Sequence, residues 1–197
     1  MIAIVLDTET TDLRPGQICQ LAYIVAGDGP LRAESFFFRV DAMSPSAQAV
    51  HGFSMEQLIV LSQGRRFVDS FAAIDADFRK ADVLIGHNLN FDTGFMRGEY
   101  LRIQKSFPMR RGLCTMRYFT QHCALTGRTG RVKMPALAEL CQSFRVTPER
   151  VSALQCSLFG KAAAAHDARY DCTATYLCVL AAMEQKLLRE LFAYDIA

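Results

Sequence analysis

Five side chains in three separated segments have the chemical types and the spacing of a metal-dependent hydrolytic site. Asp7 and Glu9 follow the apolar residues 2–6, Asp92 comes after the apolar residues 83–85, and His166 and Asp171 lead into an apolar helix. Two carboxylates about 4 Å apart repel each other by about 4 kcal/mol at an effective dielectric constant near 20. Divalent cations would relieve this repulsion, and hard oxygen donors favour Mg²⁺ or Mn²⁺.

The first segment predicts two carboxylates on one face of a strand. Side chains alternate along a strand, so Asp7 and Glu9 project to the same face and Thr8 to the opposite face. The seven cysteines include no Cys-x-x-Cys pair that would favour zinc. A pair of divalent ions bound there could activate a water molecule and stabilise the attacking and leaving oxygens of a phosphodiester.

The third segment supplies a candidate general base. On one continuous helix, residues 166 and 171 would lie more than about 100° apart around the axis. We therefore predict that His166 lies in the loop before the helix and Asp171 in its first turns, with Asp167 as the N-cap. Histidine changes charge close to neutral pH, so His166 could take a proton from the attacking water.

In chain order, the motifs Asp-x-Glu, His-Asn-x-x-Phe-Asp and His-x-x-x-x-Asp resemble the DnaQ-like, or DEDD, family of 3′-to-5′ exonucleases, and specifically its histidine subclass. The resemblance spans about residues 2 to 182. It implies an α/β, ribonuclease H-like fold, with a mixed sheet of about five strands flanked by helices. The length of the chain separately predicts a single domain over residues 1–197. The resemblance also implies a catalytic set that consists of the metal ligands Asp7, Glu9, Asp92 and Asp171 and the general base His166.

A set of substrate-binding residues is also predicted, partly from the same resemblance and partly from the basic, loop-like stretch at residues 127–131. The segment Val50-His51-Gly52-Phe53 is similar to one that lies beside the substrate terminus in relatives. The candidates are Thr8, Thr10, His51, Gly52, Phe53, Asn88, Arg128 and Arg131. Two alternatives stay open: His51 could instead cap or pack, and Asn88, like His87, could tie down the strand-to-helix turn. One difference from relatives is Asp12, which stands where glycine is common and adds a negative charge.

Together these features predict a metal-dependent 3′-to-5′ exonuclease that hydrolyses single-stranded DNA, with two Mg²⁺ or Mn²⁺ ions as cofactors. The products would be nucleoside 5′-monophosphates. Two other functions remain open: an exoribonuclease that trims RNA, and a nucleic-acid-binding accessory subunit of a polymerase with a vestigial site. The expected partner is a single-stranded nucleic acid 3′ end, and the chain could also form a homodimer or join a polymerase as a separate subunit.

Charge is unevenly distributed along the 197 residues, although the net charge is only +2. Residues 93–133 carry nine basic side chains and one acidic side chain, interleaved with the aromatic residues Tyr100, Phe107, Tyr118 and Phe119. Basic side chains can neutralise phosphates, and aromatic rings can stack on bases. We favour phosphate contact for the segment as a whole, whereas solvated helix faces with aromatics in the core are the alternative for individual residues.

The remaining patterns predict the order of the elements. Strands are predicted at residues 2–6, 17–26, 31–40 and 82–86, with a turn at 27–30. A capping box from Ser54 to Gln57 should open a short helix, and further helices are predicted at 67–80 and at about 90–105, 115–124, 135–144 and 168–192. Neither a signal peptide nor an apolar stretch of about 18 residues is found, so we expect a soluble, cytoplasmic protein without a membrane anchor.

Overall fold

A single mixed sheet lies at the centre of the computed structural model of the chain, which describes residues 1–13, 16–27 and 29–188. Its strands are β1 (Ala3–Thr10), β2 (Ile18–Gly27), β3 (Gly29–Phe37), β4 (Val83–Gly86) and β5 (Arg111–Cys114). They lie in the order β3-β2-β1-β4-β5; β1 is antiparallel to β2 and parallel to β4. The predicted mixed sheet of about five strands is confirmed.

Helices pack on both faces of this sheet. Within the described ranges they are α1 (Pro45–His51), α2 (Met55–Ser62), α3 (Phe67–Lys80), α4 (Leu89–Arg102), α5 (Thr115–Tyr118), α6 (Thr120–Cys123), α7 (Leu137–Ser143), α8 (Pro148–Phe159) and α9 (Ala168–Glu184). None of these helices has both the length and the apolar character that a bilayer crossing requires.

The central strand β1 divides the core into two halves because its side chains alternate between the faces of the sheet. Ala3 and Val5 pack with α7, α8 and α9, whereas Ile4 and Leu6 pack with α3 and α4. By the same alternation, Asp7 and Glu9 belong to the face of α9, and Thr8 belongs to the face of α4. The two halves of the core thus determine which helices can contribute side chains to each face of β1.

Several predicted boundaries agree with the structure, and others need correction. The helix at 67–80 and the Ser54 capping box are confirmed, and Asp167 is the N-cap of α9. The first strand was predicted to end at residue 6, but β1 continues to Thr10 because residues 7–10 keep their pairing with β2. Within the predicted turn at 27–30, Asp28 lies outside the described residues, as do residues 189–192 of the predicted last helix.

Three elements were not predicted from the sequence: α1, α8 and β5. Both missed helices begin with a cap and a proline, Ser44 before Pro45 and Thr147 before Pro148, which is a recognisable start signal. The strand β5 has only four residues and carries charge, so no apolar run marks it. The helix predicted at 115–124 is divided into α5 and α6 at Phe119.

The structure assigns most aromatic side chains of residues 93–133 to the core. Tyr100 and Phe119 are fully buried, and Phe107 packs against the same core as Tyr100. For these residues the structure agrees with the alternative that the aromatic side chains lie in the core, so they do not form a stacking surface for bases. Tyr118 is 45% exposed, but its hydroxyl donates a hydrogen bond to the carbonyl of Leu187.

Candidate active site

Three carboxylates from two elements converge at the end of β1. One oxygen each of Asp7, Glu9 and Asp171 lies within 4.8 Å of the others. Asp7 and Glu9 share a face of β1, and Asp171 is in the first turn of α9, which packs on that face. Residues more than 160 positions apart in sequence therefore meet, as the spacing of the motifs predicts.

Asp92 approaches from the opposite face of the sheet and is held by Thr8. Its Oδ1 accepts hydrogen bonds from the backbone N–H of Thr8 at 3.0 Å and from the Thr8 hydroxyl at 2.8 Å. Asp92 is 2% exposed and is not one of the three converging carboxylates. Its charge is nevertheless close enough to raise the pKa values of Asp7 and Glu9. Both Thr8 donors serve Asp92, so Thr8 anchors a candidate ligand.

His166 occupies the predicted loop position immediately before α9. Its side chain is exposed, and its backbone has a φ of 65°, in the left-handed region that non-glycine residues seldom adopt. The backbone N–H of His166 donates to Asp171 Oδ2 at 3.1 Å, which ties the loop to the carboxylate cluster. Strained backbone of this kind is often found at functional sites.

Burial and mutual repulsion raise the pKa values of the four candidate metal ligands. Desolvation is the largest cause in each case, and it raises the pKa of Glu9 to about 8, of Asp92 to about 7 and of Asp171 to about 6. The pKa of Asp7 is raised well above its ordinary value by burial and then by the charges of Asp92, Asp171 and Glu9. The hydrogen bonds from Thr8 oppose the shift at Asp92.

These carboxylates have the properties of a divalent cation site. Among the described residues, no lysine or arginine forms a salt bridge with Asp7, Glu9 or Asp171. A cluster of buried anionic oxygens without a protein counter-charge is stabilised by a bound cation, and carboxylates are the preferred ligands of Mg²⁺ and Mn²⁺. The donor set therefore fits the metal ions that the sequence predicts.

We expect the metal-free protein to lose stability as pH rises. A carboxyl group whose pKa is raised by folding binds its proton more tightly in the folded state, so its contribution is fully present below the unfolded pKa and is lost above the folded pKa. The pKa values above place this loss between about pH 4 and pH 8. The Tm of the metal-free protein should fall by at least about 5 °C between pH 5 and pH 8, and saturating Mn²⁺ should remove most of the fall.

The variant Asp7→Asn is the control for this measurement. It removes one charge from the cluster but keeps His51 and His87. Burial lowers the pKa values of these two histidines, so their titration stabilises the protein as pH rises, opposite to the effect of the carboxylates. The metal-free Tm of the variant should exceed that of the parent at pH 8 and vary less with pH. A parent Tm that stays flat or rises from pH 5 to pH 8 would show that the cluster is not under electrostatic strain.

A cavity of about 220 Å³ lies next to the carboxylates on the side of Glu9. Three of the predicted substrate-binding residues, Thr8, Thr10 and His51, contribute to its walls. Six further wall residues were not predicted to bind substrate, although the sequence analysis named Asp12 and the segment that contains Val50. They are Asp12, Leu13, Ser46, Ala47, Val50 and Phe91. Leu13 and Val50 are 82% and 55% exposed, so apolar side chains form the rim of the cavity. Phe91 belongs to the His-Asn-x-x-Phe-Asp motif, which could have identified it.

His51 combines the two roles that the sequence left open. It is 9% exposed, its ring stacks on Phe53, and its Nδ1 accepts a hydrogen bond from the Phe53 backbone N–H at 3.0 Å. Because Nδ1 accepts, Nε2 carries the ring proton in the neutral form. His51 therefore packs at the end of α1 and also lines the cavity, whereas Gly52 and Phe53 do not line it.

The other predicted substrate-binding residues lie outside this cavity. Asn88 is exposed with a φ of 73° at the start of α4, and its carbonyl accepts from Phe91. Its neighbour His87 bridges the Thr115 hydroxyl and the Pro135 carbonyl, which agrees with a role in holding the turn. Arg128 and Arg131 are exposed in a tight turn that closes through the pairing of Thr126 with Val132. A substrate contact by these three residues stays a prediction.

Comparison with known proteins found a matching family model and several similar proteins. The family model RNase_T, described as an exonuclease, matches residues 4–178. DNA polymerase III subunit epsilon of Salmonella typhimurium is 27% identical over 153 residues, which cover 73% of this chain and 60% of the subunit. The corresponding subunit of Salmonella typhi gives the same values.

Solved structures of exonuclease I share the fold. The E. coli enzyme in complex with a dT13 oligonucleotide superposes with a TM-score of 0.72 at 18% identity, covering 98% of this chain and 43% of that one. Exonuclease I from Methylocaldum szegediense gives a TM-score of 0.71 at 18% identity, with the same coverage of both chains. This chain therefore spans less than half of exonuclease I and 60% of the polymerase subunits.

Proposed function

Because the chain belongs to the exonuclease family whose model spans residues 4–178, we propose that it removes nucleotides stepwise from the 3′ end of single-stranded DNA. The products would be nucleoside 5′-monophosphates. The resemblance to DnaQ-like exonucleases and the ribonuclease H-like fold are confirmed by the family match and by the relatives. The observation that carries the proposal is the convergence of the Asp7, Glu9 and Asp171 carboxylates within 4.8 Å.

Four carboxylates would hold the cofactors. Asp7, Glu9 and Asp171 offer converging oxygens, and Asp92 is kept beside them by Thr8. When bound, two Mg²⁺ or Mn²⁺ ions would neutralise this cluster and stabilise charge on the attacking and leaving oxygens of the phosphodiester. Hydrolysis would then take place at the end of β1, beside these carboxylates.

His166 is proposed as the general base. Its loop is fixed to Asp171 through the backbone N–H, and its side chain stays exposed, so an incoming phosphodiester and a water molecule can reach it. The imidazole would take the proton of the attacking water as the bond to phosphorus forms, and the 3′ oxygen of the shortened strand would leave. The carboxylates are thus assigned to metal binding and the histidine to proton transfer.

The cavity beside Glu9 would hold the nucleoside that is removed. Its walls combine the ring of Phe91 and the apolar side chain of Val50 with polar groups of Thr10 and His51. An apolar lining with a few polar groups is typical of sites that hold one small ligand. The negative charge of Asp12 at this cavity should disfavour a phosphate there and favour the base and sugar.

Single-stranded DNA is the proposed substrate on the basis of the relatives. The polymerase subunit acts within a DNA polymerase by name, and exonuclease I is seen with DNA oligonucleotides. By the same comparison, we propose association with a polymerase as a separate subunit. A homodimer is the alternative assembly that the sequence analysis left open. None of the candidate residues distinguishes a 2′-hydroxyl, which is the group that separates RNA from DNA.

A labelled-strand assay tests the proposal. We expect a 5′-labelled DNA single strand with Mg²⁺ to shorten from its 3′ end as a ladder, with nucleoside 5′-monophosphates as products. EDTA should abolish cleavage, and excess Mn²⁺ or Mg²⁺ should restore it. A circular single strand of the same sequence is the control and should stay intact.

Other outcomes would contradict specific parts of the proposal. Cleavage that resists EDTA would exclude the metal mechanism, and cleavage of the circle would exclude an exonuclease. A matched RNA strand that is degraded faster than DNA would identify an exoribonuclease. A shifted but uncut band would identify an accessory binding protein with a vestigial site.

A further inference from the structure

One buried amide connects the sheet to the start of α9. Gln20 lies on β2, is 0% exposed, and is the register partner of Glu9 on β1. Its Nε2 donates to Asp167 Oδ1 at 2.9 Å, and its Oε1 accepts from the backbone N–H of Ala168 at 3.0 Å. Both ends of the amide are therefore used on the first residues of one helix.

The contacts of Asp167 extend through Arg169 to strand β3. Asp167 also accepts from Arg169 Nε at 2.8 Å and Nη2 at 2.6 Å, and the Arg169 guanidinium lies 5.4 Å from the centre of the Phe37 ring. Phe37 is in turn the register partner of Gln20 on β3. Glu9, Gln20 and Phe37 thus form one row across three neighbouring strands, and α9 begins above this row.

The start of α9 determines where two candidate catalytic groups lie. His166 immediately precedes Asp167, and Asp171 lies in the first turn, where its backbone N–H donates to the Asp167 carbonyl. The amide of Gln20 therefore fixes the distance between Glu9, on the neighbouring strand, and the segment that carries His166 and Asp171. Residues that orient metal ligands in this way commonly affect activity without contacting substrate.

Building on the proposed exonuclease function, we propose that Gln20 is a positioning residue that holds His166 and Asp171 in register with Glu9. Glutamine fits this position because a single side chain must donate to a carboxylate and accept from a backbone amide. A glutamate at position 20 would accept but could not donate, and its charge would face Asp167. An apolar side chain would leave the Ala168 N–H and one Asp167 hydrogen bond without a partner.

Two variants at this contact test the proposal. Gln20→Leu removes both hydrogen bonds, and Gln20→Glu keeps only the acceptor for the Ala168 N–H. We expect Gln20→Leu to lower kcat by about 10- to 100-fold with little change in KM at saturating Mn²⁺. Gln20→Glu should show a similar loss.

The matched control is Thr175→Val. Thr175 is also a buried polar residue of α9, but its hydroxyl has no hydrogen-bond partner, so its removal should leave kcat unchanged. An unchanged kcat in Gln20→Leu would overturn the proposal. If Gln20→Leu does not fold, the kcat of Gln20→Glu decides the question, and a parental value would overturn the proposal.

A second readout separates this proposal from the proposed function. Hydrogen exchange measured by NMR should show faster exchange of the Ala168 amide in Gln20→Leu than in the parent, and Mn²⁺ titration should show weaker binding because Asp171 shifts. If the parent binds Mn²⁺ but cuts no oligonucleotide, the exonuclease function fails while these two measurements still test Gln20. If Ala168 amide exchange and Mn²⁺ affinity are unchanged in Gln20→Leu, the positioning role of Gln20 is wrong, whereas the proposed exonuclease function is unaffected.

Discussion

Asp7→Asn is expected to lower kcat by about 10³-fold or more and to weaken Mn²⁺ binding strongly. The Asp7 carboxylate lies among three other acidic groups, and its pKa is raised by burial and by their charges. Bound metal ions supply several kcal/mol of transition-state stabilisation, and the substitution removes one of their charged ligands. Each loss of about 1.4 kcal/mol of this stabilisation lowers the rate tenfold. Calorimetric Mn²⁺ titration and single-turnover cleavage of a labelled strand measure the two effects.

The stability of the same variant supplies the control. Because the substitution relieves repulsion, the metal-free variant should be more stable than the parent at pH 8 even though it is inactive. Loss of activity together with gain of stability cannot come from misfolding. An Asp7→Asn protein that retains parental Mn²⁺ affinity would contradict the assignment of Asp7 as a ligand.

His166→Asn is expected to lower kcat by about 10²- to 10⁴-fold, the usual range for loss of a general base. Asparagine is chosen because it tolerates the left-handed backbone that His166 adopts with φ of 65°. The backbone N–H to Asp171 is retained in this variant, so the carboxylate cluster should keep its arrangement. Turnover of a labelled oligonucleotide at saturating metal measures the effect.

Metal and substrate affinities distinguish this role from that of Asp7. We expect Mn²⁺ binding and oligonucleotide binding by His166→Asn to stay close to the parental values while turnover falls. His166→Ala has the same chemical consequence but adds backbone strain, so it should be no more active. If metal affinity falls equally in the Asp7 and His166 variants, the separate roles of ligand and base would be wrong.

Features of the candidate site that depend on the spacing of neighbouring residues could be predicted from the sequence. The alternation of Asp7 and Glu9, the loop position of His166 and the N-cap at Asp167 all follow from the period of a strand or the geometry of a helix start. The same rules misplaced the end of β1, because buried acidic residues interrupt the apolar pattern that marks a strand. Functional sites are the expected places for such conflicts.

Other features depend on contacts between distant residues and could not be predicted. Nothing local marks Gln20, whose partners Asp167 and Ala168 lie almost 150 positions away. The hydrogen bonds from Thr8 to Asp92 could not be predicted for the same reason, since the sequence placed Thr8 on the face opposite Asp7 and predicted a substrate contact for it. For Tyr100 the sequence left open whether the ring faces substrate or the core, and the structure shows that it is buried.

The most direct test is an anomalous diffraction experiment on crystals of the parent protein grown with Mn²⁺. We expect two Mn²⁺ peaks about 3.5–4 Å apart, bounded by the carboxylates of Asp7, Glu9 and Asp171, with Asp92 beside them. Crystals of Asp7→Asn should lose at least one of these peaks. The absence of Mn²⁺ from this cluster in the parent, with peaks elsewhere or none, would contradict the claim that these carboxylates form a metal-dependent catalytic site.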